Sequence, residues 1–275
     1  MGRRLALDFY GAAAGIAVLG AVGSAPAFAQ QITEVDKATQ WVVTIQGNGV
    51  VSPVYYGASS YSAVPFPSFE FRRADQPANF ESPDDGFNLS LFGNRQFKVG
   101  IIGQYRSGRY NSSEDNLYGI DSIPWAIEAG GFAEFWPVEQ LRTRIAVMHG
   151  VKGNYAWSGE FQADWVQKLQ PWTFSIGPRV DFGDAKFVNT YFGVTQQEAD
   201  VNGLVTPYDP GGGITGVGGL AMAAYKFNDN WATSVYGKYE RLVGDAADSP
   251  IVKNLGSPNQ AQIGVTLSYT FGVSY

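Results

Sequence analysis

Apolar and polar residues alternate along most of this chain, and the last stretch shows the pattern without a break. From Ala261 to Tyr275 the positions Ile263, Val265, Leu267, Tyr269, Phe271, Val273 and Tyr275 alternate with Gln262, Gly264, Thr266, Ser268, Thr270, Gly272 and Ser274. A period of two places one set on each face of a β-strand. The run is long for a soluble strand, whereas a tilted strand crossing a bilayer needs about 9–11 residues. The apolar face turns aromatic toward the C-terminus, as it does where a strand leaves hydrocarbon at an interface.

The same alternation recurs upstream. It predicts strands over 40–51, 66–73, 78–82, 87–91, 97–106, 127–135, 141–147, 154–165, 172–182, 217–227, 231–242 and 261–275. The segment 78–82 is the weakest of these, and Asp84-Asp85-Gly86 after it reads as a turn. Pro178 lies inside a strand and predicts a bulge or a local break. One alternating piece, 187–194, is assigned to the long irregular stretch 183–213. Short connections at 94–95, 137–140, 167–171 and 228–230 alternate with longer ones, the asymmetry of barrels with short periplasmic turns and long outer loops. The expectation is an all-β, up-and-down antiparallel transmembrane barrel of twelve strands. Ten remain possible if the weak early strands do not span. A soluble barrel or sandwich with the faces reversed is the competing fold.

Ahead of the strands, Arg3 and Arg4, an apolar run from Gly11 to Val22 and Ala27-Phe28-Ala29 have the form of a cleaved signal peptide. This divides the chain into a signal peptide, 1–29, and a barrel, 30–275, exported to the outer membrane of a Gram-negative bacterium with cleavage after Ala29. The sequence has no cysteine and one histidine, which excludes a disulfide scaffold and thiol metal sites. Its net charge of −6, without a basic cluster, argues against nucleic acid.

Charged residues fall on the polar face. Lys98, Arg106, Glu128, Glu134, Arg142, Arg144, Glu160, Asp164, Arg179, Asp181, Lys238 and Glu240 all take inward parity. On the lipid side each Lys or Arg near the midplane would cost about 2–4 kcal/mol, so a lumen charge network is expected. The pair Glu128 and Glu134 suggests glycosidase carboxylates, but Arg142 and Arg144 on the neighbouring strand favour ion pairing. Gly216-Val-Gly-Gly-Leu-Ala221 matches a dinucleotide-binding pattern, yet strand alternation follows where a helix is required. His149 and Ser158 have opposite parity and are not expected to meet. Asp245, Asp248 and Ser249 offer oxygens for Ca²⁺; a loop fixed by hydrogen bonds and Pro250 is the favoured reading, and a separate hypothesis has the same loop hold the 183–213 loop over the mouth. No catalytic residue, cofactor or metal is expected.

Tyr191-Phe-Gly-Val-Thr195, Asn202-Gly-Leu204, Gly211-Gly-Gly213 and, most specifically, Tyr239-Glu-Arg-Leu-Val-Gly-Asp-Ala-Ala-Asp-Ser-Pro-Ile-Val252 resemble blocks of the MipA/OmpV family of outer-membrane proteins. Pro65-Phe-Pro67, Leu117-Tyr-Gly-Ile-Asp121, Glu128-Ala-Gly-Gly-Phe-Ala-Glu134 and Ile176-Gly-Pro-Arg179 are similar to weaker blocks. The resemblance implies an outer-membrane barrel, embedded in outer-membrane lipid. It also implies a non-enzymatic scaffold that links a murein lytic transglycosylase to a penicillin-binding protein. A narrow diffusion channel for small solutes is the alternative.

Overall fold

The computed structural model describes residues 41–74, 80–112 and 114–274. The signal-peptide expectation over 1–29, Tyr275, and positions 78 and 79 of the weak strand lie outside the described residues. Among those described, no helix is long and apolar enough to cross a membrane.

Eleven strands form one antiparallel sheet. They are β1 (Trp41–Pro53), β2 (Tyr61–Arg73), β3 (Phe87–Gly93), β4 (Phe97–Arg106), β5 (Ala126–Val138), β6 (Leu141–Lys152), β7 (Trp157–Leu169), β8 (Trp172–Gly183), β9 (Gly213–Lys226), β10 (Trp231–Leu242) and β11 (Asn259–Val273). The order is β2-β1-β11-β10-β9-β8-β7-β6-β5-β4-β3, so the first strand pairs with the last and the sheet curls round. Trp41 stands opposite Val273 and Val51 opposite Ile263, the pairing that closure of the C-terminal strand requires. The edges are β2 and β3. Pro65 and Pro67 lie in β2, and a proline offers no N–H to a further strand, which suits an edge.

Alternation accounts for the sheet. On β1 the side chains of Val42, Thr44, Gln46, Asn48 and Val50 are buried, while Trp41, Ile45 and Val51 are exposed. The large exposed side chains sort by height. Trp41, Phe97, Phe135, Trp165, Trp172 and Trp231 ring the end that carries the short turns, and Tyr61, Tyr105, Trp157 and Tyr239 ring the opposite end. Between them lie aliphatic side chains such as Ile45, Ile101, Ile145, Val235, Val265 and Leu267. From Trp231 to Tyr239 the strand advances about 26 Å at roughly 3.3 Å per residue, or about 20 Å of height at a tilt of about 40°, comparable to the apolar band of an outer-membrane wall at about 25 Å. Exposed apolar surface this continuous is built for hydrocarbon, not water.

The weak segment does not extend the sheet. β2 and β3 both run toward the short-turn end, since Arg73 pairs near Trp41 and Gly93 near Lys98. Part of the connection between them is described. Its described part, Phe80–Gly86, forms no strand, and Phe80, Ser82 and Asp85 are almost wholly buried. The described wall thus has eleven strands rather than twelve or ten, and this segment runs through the interior.

At the long-loop end lie three short helices, α1 (Ala185–Phe192), α2 (Gln196–Asn202) and α3 (Gly244–Asp248), followed by a π-helical turn, Ile251–Leu255. The piece expected to alternate over 187–194 is therefore mostly helix. Asp184 caps α1 through Phe187 N, and Thr195 with Glu198 forms a capping box on α2. At Pro178 the β7–β8 pairing is interrupted between Gln162↔Arg179 and Trp165↔Ile176 with the register kept, a break and not a bulge.

Candidate functional site

The curled sheet encloses a polar interior arranged in layers. At the short-turn end Phe80, Trp136, Val166, Leu220, Met222 and Tyr236 make an apolar floor, with the Phe80 and Trp136 rings edge to face at 6.3 Å.

Above it sits a network of buried charge. Arg142 is fully buried and meets three carboxylates: Asp85 at 2.6 Å, Glu134 at 2.8 Å and Asp164 at 3.1 Å. Arg144 reaches Asp85 at 3.1 Å, and its guanidinium lies 4.2 Å from the centre of the Phe132 ring. Arg179 bridges Asp84 at 2.9 Å and Asp164 at 2.8 Å, and donates to Ser82 Oγ. Lys98 and the Trp136 indole N–H both bond Glu134. Lys238 stands 3.4 Å from Asp84 and 3.8 Å from Glu240. Ions taken this far from water persist because they pair with opposite charge, and stripping one partner from a buried pair typically costs about 3–5 kcal/mol.

Seven of the twelve wall residues expected in the network (Lys98, Glu134, Arg142, Arg144, Asp164, Arg179, Lys238) gather here. Asp84 and Asp85, which read from sequence as a turn, are the residues that join them. Glu128 lies nearer the mouth, where Arg106 binds it through two nitrogens at 3.1 and 3.0 Å and Asn154 and Ser158 also donate to it. Glu160, Asp181 and Glu240 line a separate cavity above the network. The charge pattern does not single out Ser82, Asn154 or Tyr56, whose hydroxyl donates to Glu240 at 2.8 Å; Asn154 falls on the inward face of the strand predicted over 154–165, and Tyr56 lies in a loop that no periodicity marks.

The mouth is closed by a cap with two apolar clusters. One gathers Tyr55, Leu117, Ile120, Val194, Ile251 and Leu255, the other Phe187, Tyr191, Phe192, Leu242, Ala246 and Val252. Hydrogen bonds join the loops. Asp245 accepts from Gly211 N at 2.6 Å, buried Ser249 donates to Phe192 O at 2.6 Å, and Asn202 donates to Asn116 O and Tyr118 O. Asp248 makes an exposed ion pair with Lys253, and Pro250 precedes the π-helical turn. Among the described residues no three His, Cys, Asp or Glu side chains are placed to hold a metal ion.

Glu198 shows what fixes the cap. It accepts from Thr195 N at 2.7 Å, Thr195 Oγ1 at 2.8 Å and Asp121 N at 2.9 Å. Burial alone would raise its pKa, but the backbone donors of Thr195 and Asp121 outweigh it and hold the carboxyl below its ordinary value.

The remaining candidates separate. His149 packs against Trp157 with ring centres 4.8 Å apart, whereas Ser158 turns inward to Glu128. The glycines of 216–221 sit in β9, where a Cβ on Gly216 would stand 2.1 Å from Glu240 Oε1. Gly216 makes room for a wall side chain, whereas Gly218 and Gly219 face the backbone of the neighbouring strands.

The model of the family described as MltA-interacting protein MipA matches residues 47–271. Outer membrane protein OmpV of Vibrio cholerae serotype O1 is 26% identical over 251 residues, covering 84% of this chain and 87% of that protein. Among solved structures, an outer membrane channel from Pseudomonas putida F1 aligns at a TM-score of 0.42 with 7% identity, over 86% of this chain and 97% of that one. A loop-deletion mutant of OmpT, an outer membrane protein of Vibrio cholerae, aligns at 0.37 with 7% identity, over 86% and 100%. With a family match that runs from the first strand into the last, the chain belongs to the MipA family.

Proposed function

We propose that this chain is an outer-membrane β-barrel of a Gram-negative bacterium, closed to solutes, that works as a non-enzymatic interaction protein. The observation that carries the reading is the occupied lumen: Asp84 and Asp85 of the inner segment are clamped by Arg142, Arg144, Arg179 and Lys238. Eleven strands form the described wall, with Phe80–Gly86 inside it, and β1 starts and β11 ends at the short-turn, periplasmic side. Residues 1–29 serve as the signal peptide, cleaved after Ala29. The aromatic rings and the aliphatic belt between them support a lipid-facing exterior.

The partners are murein-hydrolysing and murein-synthesising enzymes, a lytic transglycosylase and a penicillin-binding protein. This rests on the family's description as MltA-interacting and on the scaffold role the resemblance implies. Tagged protein extracted from membranes should retain both enzyme classes, and an unrelated barrel should retain neither. Recovery of neither class, with steady ion conductance of the purified protein, would favour the diffusion channel. The cavity beneath the cap is the feature that favours that second reading.

A further inference from the structure

Between the ion network and the cap lies a cavity of ≈ 250 Å³. Glu160, Asp181 and Glu240 reach it from β7, β8 and β10, and Lys238 and Arg106 are its cationic side chains. The cations are already committed, Arg106 to Glu128 and Lys238 to Asp84 and Glu240. The acceptors are in surplus. Glu160 is only 6% exposed, forms no ion pair among the described residues, and has one hydrogen bond, from Gln162 at 3.3 Å. Asp181 stands across β9 from the Glu240 carboxyl. Gln104 Oε1, also on the wall, is buried without a donor.

The glycines of β9 create this arrangement. Gly216 pairs with Asp181 on one side and Leu242 on the other, so β9 separates the strands carrying Asp181 and Glu240. With no side chain at 216, Glu240 leans across β9 toward Asp181, into space that a Cβ would occupy.

We propose that this chamber binds a small organic amine. Its wall presents surplus anionic and carbonyl acceptors, and a primary ammonium offers three donors and no acceptor. An anion would meet like charge. A single metal ion is disfavoured because among the described residues no three such ligands converge. The volume lies below the range of about 300–1,000 Å³ usual for drug-sized ligands, which fits a short-chain amine or diamine.

The test is calorimetric titration of the detergent-solubilised full chain with putrescine, with uncharged butanediol as the control ligand. Millimolar binding of putrescine but not of butanediol is expected. Glu160→Gln keeps the oxygen that accepts from Gln162 and removes the charge; it should weaken binding about tenfold, the loss of one charge-assisted hydrogen bond. Asp248→Asn, on the outer surface of the cap, should bind as the wild type does. Absence of putrescine binding, equal binding of butanediol, or undiminished affinity in a folded Glu160→Gln barrel would overturn the proposal.

Discussion

Arg142 of β6 lies 2.6 Å from Asp85 of the inner segment, with both side chains fully buried. That contact joins the barrel wall to chain that leaves the sheet after β2 and returns at β3. It also makes the segment a fixed part of the interior, because Asp85 accepts from Arg144 as well. Asp85→Ala leaves two guanidinium groups short of an acceptor and should lower stability by about 3–5 kcal/mol. Urea unfolding followed by Trp fluorescence measures this. A loss below 1 kcal/mol would mean that the segment is not held by these ions.

The two faces of β11 make opposite demands. Leu267 is 50% exposed on the aliphatic belt, and Arg there should cost about 2–4 kcal/mol and prevent assembly of a heat-modifiable barrel. Thr266 faces inward and donates to Asn48 at 2.8 Å. Thr266→Lys should therefore still assemble, with a smaller loss from the broken hydrogen bond. Equal assembly of the two variants would invalidate the assignment of faces.

Acid should loosen the cap before the wall. The Glu198 carboxyl titrates below its ordinary value in the folded protein, so its contribution is present above the unfolded value of about 4.3 and is lost as pH falls through the lower folded value. Hydrogen exchange at the amides of Asp121 and Thr195 should accelerate below about pH 4. Glu198→Gln should show that faster exchange already at neutral pH. Unchanged exchange in this variant would remove Glu198 from the account.

Ser249 tests the loop block that carries the family resemblance. Its hydroxyl is buried, donates to Phe192 O and accepts from Ile251 N at 3.2 Å. Ser249→Ala strands the Ile251 N–H and should cost the cap about 1–3 kcal/mol. Limited proteolysis should then cut within 185–213 sooner than in the wild type, while the strands stay resistant.

The wall strands were readable from sequence because each has one wet and one lipid-like face, and period two reports that contrast directly. Glu134, Arg142 and Arg179 could be placed inward for the same reason. The inner segment was not readable. Phe80 and Ser82 keep the alternation of a strand, and chain enclosed by the wall has no lipid-facing side to mark it. Charge gave no warning either, since the inward wall positions already balance at six cations and six anions before Asp84 and Asp85 are added. For α1 and α2 the signals were present. Phe187, Val188, Tyr191 and Phe192 have helical spacing after Asp184, and Thr195 to Glu198 has the spacing of a capping box. In a chain dominated by alternation these short helices were absorbed into a loop.

The central claim is that the inner segment and its ion pairs close the lumen. Planar-bilayer recording of purified protein tests it most directly, comparing the wild type with the Asp84→Ala, Asp85→Ala double variant. The account predicts a silent wild type and steady conductance in the variant, whose segment is released from Arg142, Arg144 and Arg179. Steady, ohmic conductance of the wild type, unchanged in the variant, would contradict it.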